Sequence, residues 1–286
     1  MKIAFASGKG GAGKTTFALS YHKYLKDNSV FADCDVDAAD AFLIIEKDRV
    51  SSEPFVSGFK YCINDNCINC GLCMDRCKYN AISKNDKYSI NPFSCEGCGA
   101  CEDVCMDDAI DQIHNHCGEL FVSDTIFETK MVHARLKPGE DNSGKLVFSV
   151  RKRADDIMRK EKKDILVIDS PPGIGCALMA SITGIDRLVV IIEASLSGFS
   201  DAKRLITTAK GMRIPISAVI NKSGLNCDTD KTIEDFIVSE NIPFLGYFPF
   251  NREVVEILKR KSLLIDSENS DIKNSVINIF SKINKE

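Results

Sequence analysis

The sequence predicts an α/β protein whose mainly parallel sheet is covered by helices on both faces and interrupted by a small inserted module. Three observations carry this. Brief, nearly continuous apolar β-rich runs alternate with stretches of helical spacing along most of the 286 residues. That rhythm breaks between about Lys60 and Ile113, where Cys, Gly, Asn and Asp dominate. Inside the break one pattern occurs twice, as "CINCGLCMDRCKYNAI" and "CEGCGACEDVCMDDAI".

The elements follow in chain order. "KIAFAS" is a short strand ending in a glycine-rich loop, and "KTTFALSYHKYL" continues as a helix with Phe17, Tyr21 and Leu25 on one side. "SVFADCD" reads as the second strand. After the cysteine-rich break, about Leu120 to Val150 reads as extra strands joined by turns. "DILVIDSPPG", "RLVVIIEA", "ISAVINKSG" and "IPFLGYFPF" are further strands, with helices at "SDAKRLITTAKGM" and "NREVVEILKRK" between them. "IKNSVINIFSKI" places Val276, Ile279, Phe280 and Ile283 on one face, as in a helix docked on its own domain. The expected division is a first part at 1–59, an inserted module at 60–113 and a second part of the same domain at 114–286.

Composition narrows the function. With 37 Lys and Arg against 41 Asp and Glu, the formal charge is −4 and no long basic run occurs, so a nucleic-acid partner is not expected. The N-terminus lacks the apolar core of a signal peptide, and no apolar run approaches a membrane span. A cytoplasmic protein without membrane contact is the expectation. Thirteen cysteines in such a setting are not a disulfide framework, because cytosolic thiols stay reduced. Eight fall in the two repeats, which points to metal, while Cys34, Cys62, Cys117, Cys176 and Cys227 lie outside.

Each repeat has the spacing C-x2-C-x2-C-x3-C. Structural zinc sites take two ligand pairs across a longer spacer, whereas Cys at every third position wraps a loop around one corner of an iron–sulfur cube. The pattern resembles bacterial-type dicluster ferredoxins over about fifty residues, and it implies a small α+β bacterial-ferredoxin-like domain. In that family the fourth Cys starts a helix and ligates the other cluster. The resemblance therefore implies one [4Fe–4S] cluster on Cys67, Cys70, Cys73 and Cys105, and a second on Cys95, Cys98, Cys101 and Cys77. Gly71 and Gly99 would let backbone approach sulfide. The family's Pro after the fourth Cys is replaced by Lys78 and Met106, so Lys78 either raises the potential of a nearby cluster or is a solvated lysine.

"GKGGAGKT", Gly8 to Thr15, fits G-x4-G-K-[ST] between a strand and a helix. Backbone N–H groups of Gly8, Gly10, Gly11, Ala12, Gly13, Lys14, Thr15 and Thr16 would cradle phosphate. Lys14 would bridge the β- and γ-phosphates and Thr15 would hold Mg²⁺. The additional Lys9 makes the loop resemble the deviant Walker A ATPases: MinD, ParA, the Mrp-type scaffold ATPases and the nitrogenase iron protein. The likeness covers the chain outside the insert and implies a P-loop NTPase sheet, binding of ATP or ADP, and a slow, Mg-dependent, partner-stimulated ATPase. It also implies a homodimer with nucleotide at the interface, in which Lys9 contacts the partner's phosphates. By the same resemblance Asp35 orients the attacking water, with Asp33 and Asp37 as neighbouring candidates or helix caps. Asp169 holds Mg²⁺ through water, Gly173 lies on a γ-phosphate-sensing segment, Asn221 with Lys222 reads the adenine, and Pro249 lies near it. Cys176 stands where the nitrogenase iron protein carries a bridging-cluster cysteine; an ordinary thiol is the other reading.

The combination resembles a MinD/Mrp-like group that carries an inserted ferredoxin domain. The primary expectation is an ATPase that couples nucleotide-dependent dimer switching to electron transfer, with a redox protein as partner. The alternatives are a scaffold or carrier that delivers clusters to apo-iron–sulfur clients, and a MinD-like positioning ATPase in which the clusters are structural.

Overall fold

A computed structural model describes residues 1–140 and 143–284; Asp141, Asn142, Lys285 and Glu286, which fall in the expected 114–286 part, lie outside the described residues. Two compact units result. One comprises Met1–Glu53, Glu119–Leu136 and Ser143–Glu286; the other comprises Pro54–Gly118 and Lys137–Asn142.

The larger unit is built on strands β1 (Lys2–Ala6), β2 (Ser29–Asp33), β7 (Lys130–Leu136), β8 (Ile165–Asp169), β9 (Arg187–Glu193), β10 (Ile216–Ser223) and β11 (Phe244–Pro249). Two long strands, β3 (Glu46–Ile63) and β6 (Ile110–Thr125), complete a sheet of order β11-β10-β9-β1-β8-β2-β7-β6-β3. From β11 to β7 all neighbouring strands run parallel, for example Ile3 beside Val167 and Phe31 beside Met131. Strands buried on both faces must be apolar along their buried length, as "IAFA" of β1 and "LVVII" of β9 are. The α/β reading of the sheet is therefore what the chain adopts.

Helices α1 (Lys14–Tyr24), α2 (Ala41–Ile45), α4 (Ser143–Lys160), α5 (Cys176–Ile182), α6 (Leu196–Gly211), α7 (Cys227–Ser239), α8 (Glu253–Lys259) and α9 (Ser270–Ile283) belong to this unit. Ser195, Asn226 and Asn269 cap α6, α7 and α9 by accepting N–H bonds in the first turn, each contributing about 1 kcal/mol. The C-terminal helix buries Val276, Ile279, Phe280 and Ile283 as its spacing predicts. Phe17 of α1 meets Phe248 edge-on at 5.3 Å and Phe280 at 6.4 Å, which fixes α1 and the loop before it against β11 and α9. None of the described helices is long and apolar enough to cross a membrane.

One stretch departs from expectation. Strands β6 and β7 occupy the first part of Leu120–Val150, but residues from Ser143 onward form α4. "KLVFSV" has a β-rich composition, yet Leu146, Val147, Val150 and Ala154 share one buried helical face. Tertiary burial of that face outweighs the local preference.

The smaller unit holds α3 (Leu72–Arg76) and a hairpin of β4 (Ile82–Lys84) with β5 (Tyr88–Ile90), antiparallel with Ile82 opposite Ile90. Its core joins Tyr61, Cys73, Ala81, Ile82, Cys95, Cys101 and Ile110. The fourth cysteines do not begin helices. Cys77 closes α3 in extended conformation, and Cys105 lies in a run of turns. The short helix precedes the fourth Cys because Gly71, in the left-handed conformation, redirects the chain immediately before it.

Candidate functional site

The glycine-rich loop joins β1 to α1 at the carboxyl ends of the parallel strands, where β2, β8 and β9 also deliver their last residues. Lys14 opens α1 and is almost buried. Its Nζ lies 2.7 Å from Asp169 Oδ1 at the end of β8, 3.2 Å from Thr15 Oγ1 and 3.7 Å from Asp35 Oδ2. Burial works against the ammonium, but Asp169 and then Asp35 and Asp33 outweigh it and hold the Lys14 pKa above its ordinary value. Asp169 is completely buried, and its Oδ2 has no hydrogen-bond partner. A buried, unpartnered carboxylate oxygen beside a threonine hydroxyl suits a hard cation such as Mg²⁺.

Asp35 lies after β2, half-buried and facing the same cleft as Asp37. Burial raises its carboxyl pKa, Lys14 opposes this, and Asp169, Asp40 and Asp37 add to the rise. Asp33 does a different job. Its Oδ1 accepts from Asp35 N–H at 3.1 Å and its Oδ2 from Ala41 N–H at 3.3 Å, so it braces this turn and the start of α2. Full burial, then proximity to Asp169, push its pKa well up.

The back of the loop is held from β10. Asn221 Nδ2 donates to the Ala12 carbonyl at 2.7 Å, and Lys222 Nζ donates to the Gly11 carbonyl at 2.8 Å. Asn221 also lines a cleft of about 690 Å³, counting its open mouth, with Thr16, Phe17, Phe248, Pro249 and Phe250. The structure thus puts Asn221 and Pro249 at one apolar-walled cleft, while the Asn221 amide is already engaged by the loop. Gly13 is needed here: its φ is +94°, and a Cβ would stand 2.4 Å from Asn221 Nδ2.

Lys9 has partners other than those of Lys14. Its Nζ pairs with Glu193 Oε1 at 2.7 Å and reaches Ser197 Oγ at 3.1 Å and Ser195 Oγ at 3.4 Å. Glu193 Oε2 takes Lys222 Nζ at 2.8 Å. Burial would raise the Glu193 carboxyl, but its bonds to Lys222, Lys9 and Ser195 bring the pKa down to about 2. Glu193 is absent from the residues that the sequence marked. Its signal was its position at the end of an apolar strand, directly before the helix-capping Ser195. Gly173 is also left-handed, and its N–H donates to Ser7 O at 3.3 Å.

The cysteines of the smaller unit are all free thiols. Cys67, Cys70, Cys73 and Cys105 line one small cavity together with Ile63, Tyr88 and Ile110. Cys95 and Cys101 are buried in the core against which Cys77 and Cys105 pack, and Cys98 is exposed. Among the described residues no group of His, Cys, Asp and Glu converges as on a single metal ion. A four-iron cubane takes one thiolate at each iron, so its thiolates stand around a space, and four cysteines around a cavity fit that demand. Ala109 N–H already donates to Cys105 Sγ at 3.3 Å. Cys117 is fully buried with its thiol directed at the Ser57 carbonyl at 3.7 Å, whereas Cys176 is an exposed thiol at the start of α5. Lys78 is exposed.

A glycine-rich loop between a parallel strand and a helix, with a buried Lys–Asp pair at its mouth, defines a P-loop nucleotide-binding protein. The family model of the CobQ/CobB/MinD/ParA nucleotide-binding domain matches residues 3–265, and the chain belongs to that family. "Uncharacterized protein MJ0578" of Methanocaldococcus jannaschii is 35% identical over 288 residues, covering 99% of this chain and 96% of that protein. Among solved structures, Pyrococcus horikoshii MinD with Mg-ADP aligns at a TM-score of 0.60 and 16% identity, covering 99% and 96% of the two chains. A Cyanothece McdA–ATP complex aligns at 0.62 and 16%, with the same coverage. At such identities these structures share the fold with this chain.

Proposed function

We propose that this chain is a MinD-like, nucleotide-operated switch that binds and hydrolyses ATP with Mg²⁺ and whose cysteine module holds two [4Fe–4S] clusters. The observation that carries the switch is the buried Lys14–Asp169 pair with its unpartnered Asp169 oxygen. Loop N–H groups bind the phosphates, and Lys14 exchanges Asp169 for β- and γ-phosphate oxygens. Asp169 and Thr15 would hold Mg²⁺, which would supply neutralisation of the charge that develops on the phosphates. Asp35, its carboxyl raised by burial, orients water at the γ-phosphate. Asn221 and Pro249 flank the base, which fits the ATP and Mg-ADP named for the similar McdA and MinD structures. Lys9, held by its own chain here, is the residue available to a second copy in a nucleotide-bound homodimer.

In the module, Cys67, Cys70, Cys73 and Cys105 would hold one cluster, and Cys95, Cys98, Cys101 and Cys77 the other. Such clusters supply one-electron redox chemistry. The likeness to MinD, McdA and ParA-type structures favours a positioning or partner-recruiting switch with structural clusters. The duplicated cysteine pattern, one set of which lines a cavity, favours a second reading, nucleotide-gated electron transfer. Cluster delivery has less support, because complete ligand sets retain their clusters.

The test is to reduce the anaerobically purified protein and add either an oxidised redox protein or apo-aconitase, with and without Mg-ATP. ATP-dependent reoxidation with clusters retained supports electron transfer, and cluster loss to apo-aconitase supports delivery. ATP-dependent dimerisation without either supports the positioning switch. Absence of Mg-ATP hydrolysis in the wild type, or hydrolysis undiminished in Lys14→Met, overturns the proposal at its base.

A further inference from the structure

The repeat in the cysteine module is longer than the cysteines. Lys60-Tyr61 and Lys87-Tyr88 each precede an Ile-Asn pair, Ile63-Asn64 and Ile90-Asn91, and then the first cysteine of a repeat. The structure shows these residues acting in trans between repeats. A Cβ on Gly71 of the first repeat would stand 2.8 Å from the Tyr88 hydroxyl, and one on Gly99 of the second would stand 3.1 Å from the Tyr61 hydroxyl. Asn64 N–H donates to Ala109 O at 2.9 Å, and Asn91 N–H donates to Ala81 O at 2.7 Å. Each lead-in segment therefore packs on the opposite repeat with matching contacts.

The matching fails at the lysines. Lys60 is largely buried, and its Nζ donates to the carbonyl of Cys95, the first cysteine of the opposite repeat, at 2.8 Å. Glu140 stands farther off, 3.8 Å from the same ammonium, and is itself engaged by Asn115 Nδ2 at 2.7 Å. By the same exchange Lys87 should reach Cys67. Instead its side chain is 79% exposed and lies 3.8 Å from an exposed Asp65 carboxylate. Two nearly equivalent cysteine sets thus differ by one poorly solvated Lys60–Glu140 pair whose ammonium end lies directly on the Cys95 carbonyl.

We propose that Lys60 is a positioning residue that distinguishes the two iron–sulfur sites, making the Cys95, Cys98, Cys101, Cys77 set the more easily reduced. This rests on the reading that the module holds clusters. A [4Fe–4S] centre gains negative charge on reduction, so a nearby cation shielded from water favours the reduced form. Lys87, exposed and screened by water, does little for the other site.

The experiment is an EPR-monitored redox titration of the full-length protein after anaerobic reconstitution, with iron and acid-labile sulfide measured first. The wild type should show two separable potentials. Lys60→Gln should lower the higher one, so that the reduced-to-oxidised ratio of that centre at fixed potential falls several-fold, with 59 mV for each factor of ten. The other centre should not move. Lys87→Gln should leave both potentials unchanged, Glu140→Gln should raise the one that Lys60→Gln lowers, and Lys60→Arg should restore the wild-type value even if the glutamine variant loads poorly. Equal shifts at both centres, no shift, or an effect of Lys87→Gln matching that of Lys60→Gln would overturn the assignment. Two loaded clusters with those outcomes leave the cluster reading intact, whereas a wild type without iron and sulfide removes both.

Discussion

Gly13→Ala tests whether the phosphate loop is braced from β10 as described. The new methyl must occupy φ +94°, and it stands 2.4 Å from Asn221 Nδ2, closer than any relaxed contact. Left-handed backbone costs a non-glycine residue about 1–2 kcal/mol. Relieving the overlap moves the amide that donates to Ala12 O at 2.7 Å, and losing that bond costs about 1 kcal/mol more. The sum, about 2–3 kcal/mol, falls on the loop that binds phosphate. Expressed wholly in binding, it weakens ATP by roughly 30- to 150-fold. A fluorescent ATP analogue titrated with Mg²⁺ reads the affinity, and thermal unfolding without nucleotide reads the part expressed as stability. Asn221→Ala in the same chain should recover part of the loss, since it removes the obstructing atom. If Gly13→Ala binds ATP within two-fold of wild type and melts at the same temperature, the bracing argument is wrong.

Further outcomes follow from the same geometry. Lys14→Met should abolish ATP binding and destabilise the nucleotide-free protein at neutral pH by about 3 kcal/mol, because the fully buried Asp169 loses its main cation, as denaturant unfolding would show. Glu193 is held at about 2 against an ordinary 4.5, so its contribution is fully present above about pH 4.5 and is lost as pH falls toward 2. Glu193→Gln should therefore be less stable than wild type near neutrality and approach it through that window, read from urea midpoints. Cys73→Ser should remove roughly half of the iron and sulfide of the anaerobic protein, because the cavity set loses a buried ligand and the other set is untouched.

What could be read in advance follows from sequence distance. The phosphate loop and the cysteine repeats are contiguous, so spacing displays them directly, and the parallel strands announce themselves as apolar runs. Asp169 was legible because it ends such a run. The contacts that orient these groups join residues far apart: Lys9 with Glu193, Asn221 with Ala12, Lys60 with Cys95. No local pattern encodes them. The lead-in Lys-Tyr pairs and Ile-Asn pairs of the repeat could have been found by extending the self-comparison upstream of the cysteines. Helix α4 was hidden because "LVFSV" carries β-type composition while its burial depends on partners elsewhere in the fold.

The central claim, a nucleotide-operated switch with iron–sulfur centres in one chain, is tested most directly by sedimentation velocity of the anaerobically purified protein, followed at both the protein and the iron–sulfur absorption bands. With Mg-ATP both bands should move together from a monomer to a dimer boundary, and Lys9→Ala should remain monomeric. A boundary that ignores Mg-ATP, or one that carries no iron–sulfur absorption, would contradict the account.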